Sequence, residues 1–404
     1  MKIQMRRVIC KDGERLVVLV GEDGVPLFYP TLYVTAELRG NKLAVNTNVN
    51  ALTALKCLYA WQEYFGIDLE ARFKNNRLLE AHEIHALRDF LQKPLRSPAE
   101  KKIVSIKRPR TVSSDVQYAR MSVIAEYLEF LAEKLQRATD SSGDLAAKMA
   151  FQIKANRPQK SGWSDSDRDD KHLDDDMLDS LEAILKPGAA ANPVGSYGVQ
   201  VRNALLFSIL RTTGFRRGEI LNLKIEDIHF ASNVIKVVRR ADSLGDVRVN
   251  QPTAKTYGRS YPVVSELTQQ IYVYITEYRN KIPSARKHGY LFVVHKEGPS
   301  LGRPLSNSAF GKLFDQIRQA AAGHAGVHAH SLRHHWNYTF SKNADERNVS
   351  PAEEERTRSF LMGWKPTSGT AAGYNKRRTK ERAAAATLGI QEKHVKNMHK
   401  DNET

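Results

Sequence analysis

The first 35 residues alternate short apolar runs with turn signals. Asp-Gly dipeptides separate three apolar runs, Val8–Cys10, Leu16–Val20 and Leu27–Tyr33. Asp-Gly between apolar runs is typical of tight hairpin turns. The pattern therefore predicts a small three-stranded β-meander at the N-terminus.

From Thr47 onward the apolar period becomes helical. Apolar residues recur at steps of three or four over Leu52–Phe65, and Gly66 follows as a stop signal. The same period predicts two further helices, Glu80–Gln92 and Asp115–Gln136. These three helices indicate a small helical domain.

Residues 154–175 are polar and charged with few apolar side chains, which is typical of a linker. Beyond them helical and strand-like patterns mix, which predicts a larger second domain. Its predicted helices are Val201–Arg211, Arg217–Leu223, Leu267–Tyr278 and Ser308–Ala320, and its predicted strands are Val234–Val238, Val247–Asn250, Tyr261–Val264 and Leu291–Val294. The resulting division is a β-rich segment at 1–45, a helical domain at 46–150, a linker at 151–175 and a mixed domain at 176–404.

The net charge of the chain indicates which class of partner to expect. The chain has 62 Lys and Arg against 45 Asp and Glu, a formal charge of +17, which favours a polyanion such as nucleic acid. No apolar run approaches the roughly 20 residues that span a bilayer, so no membrane partner is expected. Two cysteines cannot build a disulfide framework or a structural zinc site, and we expect a cytoplasmic protein. The sequence has no HExxH motif and no closely spaced carboxylate set of the two-metal type, so we expect no metal.

A basic run lies between the second and third predicted helices. Its cations are Lys101, Lys102, Lys107, Arg108 and Arg110. Such a run is either a solvated loop or a set of phosphate contacts. Beside a basic helical domain, both interpretations stay open.

Arginine and histidine motifs mark the candidate chemistry. In Thr213–Ile220 a glycine turn opens a helix, and Arg216 and Glu219 stand three residues apart on one helix face. His330 and Arg333 repeat that spacing in His330–Trp336. Each pair alone could be a surface ion pair or a structural histidine.

Further along the chain lie Leu361-Met362-Gly363-Trp364 and then Tyr374. Taken in order, these motifs resemble the tyrosine recombinase, or phage-type integrase, family. Arg216 and Glu219 match its arginine motif, and His330, Leu332, Arg333 and His334 match its H-x-L-R-H motif. Leu361 to Trp364 match its L-G-H/W motif with tryptophan at the last position. The nucleophile position falls on Tyr374, one residue further from Trp364 than is usual. The hairpin lysine of the family falls on Lys255, with Lys224 and Lys236 as nearby alternatives.

The resemblance covers roughly residues 46–380 and implies a mostly α fold with small β-sheets. It implies a helical, SAM-like core-binding domain and a mixed α+β catalytic domain, with no cofactor. The N-terminal β-meander would then be an arm-type DNA-binding segment or a sheet that only packs on its neighbour.

Roles for the motif residues also follow from the resemblance. Arg216 and Arg333 would grip phosphate oxygens, with Glu219 orienting Arg216. His330 would handle the proton of the nucleophile Tyr374. In addition, Lys255 would protonate the leaving 5′ oxygen, Trp364 would donate its indole N–H to a phosphate oxygen, and His334 would support the fold.

The family resemblance implies a site-specific recombinase that acts on double-stranded attachment sites of a mobile element. It implies a homotetramer on DNA, with accessory DNA-bending or directionality factors as further candidates. The tail Ala383–Lys400 would pass between neighbours or pack on its own domain. The alternatives are a type IB topoisomerase-like enzyme and a catalytically silent DNA-binding relative.

Overall fold

The computed structural model describes residues 3–39, 45–94, 111–136, 142–160, 173–254, 256–320, 326–365, 371, 380 and 383–394. These residues belong to two compact units, Met1–Ser164 and Asp165–Thr404. Both units are predominantly helical with one small antiparallel sheet each, as the sequence predicts. None of the described helices is long and apolar enough to cross a membrane.

Unit 1 begins with a two-stranded hairpin. Strand β1, Gln4–Ile9, pairs antiparallel with β2, Arg15–Val20. The β2 strand buries Val17 and Leu19 in the core of the unit, whereas β1 is largely exposed. The hairpin thus adds one apolar face to the helical core.

The third strand of the predicted meander is wrong. Residues Phe28–Tyr33 form a short helix, α1, which continues as a π-helical turn over Val34–Arg39. The reason is Pro30, which has no N–H to donate to a sheet but is tolerated in the first turn of a helix. The hydroxyl of Thr31 also donates to the Leu27 carbonyl at 2.7 Å, which closes that turn.

The described residues of unit 1 form five more helices: α2 Val45–Phe65, α3 Leu69–Lys74, α4 Ala81–Phe90, α5 Ser114–Leu135 and α6 Ser142–Ala155. The three helices expected from the apolar period are confirmed as α2, α4 and α5. The sequence reading missed α3 and α6, and α6 continues into the range assigned to the linker. Linker residues 161–172 lie outside the described residues, as does the basic run with Lys101, Lys102, Lys107, Arg108 and Arg110.

Unit 2 is built from seven principal helices among its described residues: α7 Asp175–Leu185, α8 Tyr197–Thr213, α9 Arg217–Leu221, α10 Ser265–Val273, α11 Asn307–Ala320, α12 Ala329–Glu346 and α13 Pro351–Met362. A π-helical turn, Tyr274–Arg279, extends α10, and 3-10 turns occur at Ile225–Asp227, Phe230–Ser232 and Pro283–Lys287. Residues 383–394 are also helical.

A three-stranded antiparallel sheet, β3-β4-β5, packs against these helices. Its strands are β3 Ile228–His229, β4 Val234–Val237 and β5 Arg259–Pro262. The register places Ile235 opposite Tyr261 and Val237 opposite Arg259. The buried face of β5 therefore carries both an aromatic ring and an arginine into the unit.

The predicted strand Val247–Asn250 is wrong. Its apolar side chains Val247 and Val249 are exposed, whereas Asp246 and Arg248 are buried as an ion pair. The Arg248 guanidinium also donates to the carbonyls of Leu221 and Leu305, both at 2.9 Å. This ion pair, rather than pairing with a strand, holds the loop in place. The charged positions of the alternating pattern are therefore buried and its apolar positions are exposed.

We predict that Leu128→Ala destabilises unit 1 by about 2–5 kcal/mol, because it leaves a cavity in a closely packed helical core. Leu128 on α5 is fully buried. The control is Val116→Ala on the same helix, where the side chain is exposed. Urea unfolding followed by circular dichroism measures both. Equal midpoints for the two variants would contradict this packing.

Candidate active site

The first motif is formed where α8 ends and α9 begins. The last turn of α8 is capped by Gly214 at φ 62°, a conformation that favours glycine. A Cβ at this position would lie 3.0 Å from the Trp336 ring. The Trp336 indole N–H in turn donates to the Thr212 carbonyl at 2.9 Å. The glycine thus lets α12 pack directly on the turn that precedes Arg216.

Arg216 is the residue immediately before α9. Its backbone N–H donates to Glu219 Oε2 at 3.0 Å, and its guanidinium Nη1 lies 3.7 Å from Glu219 Oε1. The Arg216 side chain is 31% exposed, whereas that of Glu219 is fully buried. The carboxylate therefore contacts both the backbone and the guanidinium of Arg216, whose side chain remains partly exposed.

Glu219 has a second and closer set of partners. It accepts hydrogen bonds from the Thr256 hydroxyl at 2.5 Å and from Arg259 Nη2 at 3.0 Å. Burial alone would raise the pKa of the Glu219 carboxyl, but the charges of Arg259 and Arg333 and these hydrogen bonds outweigh it and lower that pKa. The carboxylate is therefore held ionised inside the unit.

Arg259 was missed by sequence reasoning, which assigned only Arg216 to Glu219. It stands at the start of β5, two residues before Tyr261 and on the same buried face. An arginine on the buried face of a strand needs an anion, and this alternation is the signal that could have identified it. Its guanidinium also lies 5.3 Å from the Phe215 ring centroid.

The turn after α13 packs on the same segment. Gly363 has φ 63°, and a Cβ there would lie 2.8 Å from Arg259 Nη1 and 2.9 Å from Thr256 Cβ. The Tyr257 N–H donates to the Gly363 carbonyl at 3.1 Å. The next residue is Trp364, a buried side chain. The glycine of this motif is therefore required by close backbone approach.

The α12 helix supplies the second arginine. Arg333 is buried, and its Nη1 donates to the Gly214 carbonyl at 2.7 Å. Its guanidinium carbon lies 5.3 Å from the Trp364 ring centroid. Arg333 thus connects the Arg216 turn with the Trp364 turn.

His330 lies one helical turn before Arg333 and is exposed. Its ring meets that of His334 edge-on, with centroids 4.4 Å apart. His335, which the motif does not include, is buried and hydrogen-bonded through Nδ1 to the Leu173 carbonyl at 2.9 Å. The structure therefore gives His335 an inward contact and leaves His330 facing solvent.

Contacts among the described residues connect four of the predicted residues, Arg216, Glu219, Arg333 and Trp364. His330 and His334 contact each other on α12. Lys255 and Tyr374 lie outside the described residues. The residues on either side of Lys255 in the sequence, Ala254 and Thr256, are both buried. A Cβ on Gly218 would lie only 2.4 Å from the Thr253 carbonyl oxygen, so this segment packs directly on α9.

Metal-type donors cluster at one place among the described residues, the β1–β2 turn of unit 1. The group is Cys10, Asp12 and Glu14. Each carboxylate already has a structural partner: Asp12 accepts from the Glu14 N–H at 2.9 Å, and Glu14 pairs with Arg39. The cluster is therefore explained by the turn, and it belongs to a different unit from the arginine motifs.

We predict that Glu219→Gln lowers the free energy of unfolding at neutral pH by about 3–5 kcal/mol, because it leaves buried Arg259 without its anion. The Glu219 pKa is lowered from 4.5 on folding. Its ionised form therefore stabilises the fold fully above pH 4.5, and that contribution is lost as the pH falls further. Urea unfolding at several pH values should show the difference from wild type narrowing below pH 4.5. The exposed Glu353→Gln is the control, and a pH-independent difference for Glu219→Gln would contradict the assignment.

Sequence comparison identifies curated proteins that are similar to this chain. The chain is 24% identical over 157 residues to tyrosine recombinase XerD of Halalkalibacterium halodurans, covering 39% of this chain and 44% of the relative. It is 29% identical over 155 residues to tyrosine recombinase XerC of Lactobacillus delbrueckii subsp. bulgaricus, covering 37% and 45%. The chain thus spans about half the length of the curated relatives it matches.

Among solved structures, the crystal structure of XerA recombinase aligns with a TM-score of 0.34 and 17% identity, covering 86% of this chain and 91% of that one. The Tn1549 transposon integrase in complex with transposon right end DNA aligns with a TM-score of 0.37 and 17% identity, covering 78% and 98%. Residues 182–351 match the model of the phage integrase family. That range contains Arg216, Glu219, His330 and Arg333. Over this range the chain is similar to the phage integrase family, and the curated relatives that it matches are tyrosine recombinases.

Proposed function

We propose that this protein is a site-specific DNA recombinase that cleaves and rejoins DNA through a 3′-phosphotyrosyl intermediate. The observation that carries the proposal is the hydrogen bond from Arg333 to the Gly214 carbonyl, at 2.7 Å. It ties the second arginine to the turn that presents the first. Two guanidinium groups from distant parts of the sequence thereby serve one site.

Two arginines suit a phosphodiester in its transition state, where negative charge gathers on the non-bridging oxygens. A guanidinium stays protonated at any working pH and can donate two parallel hydrogen bonds. Arg216 remains partly exposed to receive the DNA, and Arg333 is fixed by its carbonyl contact. Donors that are already in place need no reorganisation as charge develops.

The covalent step uses Tyr374, His330 and Lys255. The Tyr374 phenolic oxygen attacks phosphorus, and its proton passes to His330. The bond from phosphorus to the 5′ oxygen breaks, and Lys255 protonates that oxygen. Attack by a 5′ hydroxyl then reverses the step and releases Tyr374. One ester replaces another, so no external energy source is required.

The described tyrosines near the arginines suit this role less well. Burial raises the pKa of Tyr261 to about 12, against the smaller lowering effect of Arg259. Tyr257 is exposed, but its backbone is fixed by the hydrogen bond to Gly363. The family motif places the nucleophile at Tyr374, and Tyr257 supplies a matched control.

The substrate and assembly complete the proposal. The formal charge of +17 suits double-stranded DNA, with the basic run at 101–110 as a phosphate contact. Exchange of strands between two duplexes requires four active sites, hence a homotetramer on paired attachment sites. Integration or excision of a mobile element is the process that such exchange would serve. A type IB topoisomerase would use the same cleavage chemistry without pairing two sites.

We predict that wild type forms a covalent adduct with DNA and that Tyr374→Phe forms none, because the phenolic oxygen is the attacking group. The substrate is a duplex carrying a site selected by the protein from a random library, nicked beyond the scissile phosphate so that the cleaved fragment diffuses away. A denaturing gel detects the adduct.

The matched control for this assay is Tyr257→Phe, which should form adduct at the wild-type level. Adduct in Tyr374→Phe would mean that another group attacks. Bound DNA without adduct in wild type would favour a silent DNA-binding relative. On plasmids with two sites, exchanged products support a recombinase, whereas relaxation alone would support the topoisomerase alternative.

We predict that Arg216→Ala slows adduct formation by roughly 10²–10³-fold, since it removes a donor to the transition-state charge. Its neighbour Arg217 is exposed, and Arg217→Ala is the matched control of equal charge change. Single-turnover rates on the nicked duplex at saturating protein separate this effect from binding. Equal rates for the two variants would remove Arg216 from the site.

A further inference from the structure

We propose that Arg259 is a positioning residue of the active site, which holds the lysine-bearing segment and the Trp364 turn in register with Arg216. The inference rests on the proposed function. Arg259 itself touches no DNA in this proposal, because its side chain is only 2% exposed. Its effect must therefore pass through its neighbours.

The contacts of this guanidinium join two separate parts of the catalytic unit. Nη1 and Nη2 donate to the two oxygens of Glu219 at 3.3 and 3.0 Å, and Glu219 accepts from the Arg216 backbone. Nε donates to the Leu361 carbonyl at 2.5 Å, in the last turn of α13. One side chain thus connects the start of α9 to the helix end that leads into Trp364.

Arg259 also organises its own segment. Its Nη1 lies 3.2 Å from the Thr256 hydroxyl, which itself donates to Glu219. Thr256 is the residue next to Lys255 in the sequence. The proposed general acid is therefore adjacent to a residue that is fixed by the Glu219–Arg259 pair.

The geometry requires arginine specifically. A guanidinium can donate to both carboxylate oxygens and still direct Nε elsewhere, because its five N–H donors form a planar fork. A lysine ammonium would neutralise Glu219 without this directed set of hydrogen bonds. With lysine, the charge of Glu219 would still be balanced, but hydrogen bonds would no longer connect the start of α9 with the end of α13.

The test distinguishes an effect on the position of the general acid from an effect on the stability of the protein. Full-length protein is assayed for single-turnover cleavage on two duplexes, one with the natural 5′ oxygen and one with sulfur at that bridging position. In the second, the P–S bond breaks and the thiolate leaves without a proton, because a thiol is far more acidic than an alcohol. The rate on sulfur is thus independent of the acid.

We expect Arg259→Gln to lose about 10²-fold or more on the oxygen substrate, the range for general acid catalysis, and less than about tenfold on sulfur. The control is Arg279→Gln, a buried arginine that donates to the Tyr290 and Ala285 carbonyls outside the motifs. Its ratio of oxygen to sulfur rates should equal that of wild type, whatever its thermal stability.

A second variant covers the case in which Arg259→Gln does not fold. Thr256→Val keeps the Glu219–Arg259 pair and removes one hydroxyl, and it should shift the ratio in the same direction by a smaller factor. Equal losses on both substrates, or an unchanged ratio in both variants, would overturn the positioning role. Wild type that binds DNA but cleaves neither substrate would instead refute the proposed function.

Discussion

The carboxylate of Glu219 is buried, ionised and surrounded by donors from two stretches of the chain. A buried charge without partners is strongly unfavourable, so the charge can be tolerated only when its donors are in place. The Arg216 backbone, the Thr256 hydroxyl and the Arg259 guanidinium meet that requirement together. The folding of unit 2 and the alignment of its arginines therefore depend on the same electrostatic requirement.

Close backbone packing adds a steric condition to the electrostatic one. Gly214, Gly218 and Gly363 each stand where an added Cβ would meet another segment at 3.0 Å or less. Their neighbours are Trp336, the Thr253 carbonyl and Arg259 respectively. The missing side chains of these glycines allow the segments to approach one another closely. Motifs that are far apart in the sequence are therefore in direct contact in the fold.

Much of this arrangement could be predicted from the sequence, because local signals were strong. The helical period identified α2, α4 and α5. The order of motifs predicts a site with Arg216, His330, Arg333 and Trp364, and contacts of Arg333 connect the Arg216 turn with Trp364. The helix α1 was missed because its short apolar run is compatible with either a strand or a helix. Only Pro30, which has no N–H for strand pairing, favours the helix. The false strand at Val247–Asn250 had the right alternation, but a buried Asp246–Arg248 pair reversed which side faces inward.

Arg259 shows what a linear motif does not contain. Its importance depends on a partner 40 positions away, Glu219, and on a carbonyl 102 positions away, that of Leu361. Contacts at such separations produce no periodic pattern in the sequence. Long-range pairing of charges became visible only when the β5 strand was placed beside α9.

The turn at Gly363 has a consequence for building chimeras between this protein and its relatives. Because that backbone rests on Thr256 and Arg259, the end of α13 cannot be transplanted by itself. A graft would have to carry the β5 segment and the α9 turn as one block. Crossover points for such chimeras would therefore lie outside these three stretches, in loops that share none of their contacts.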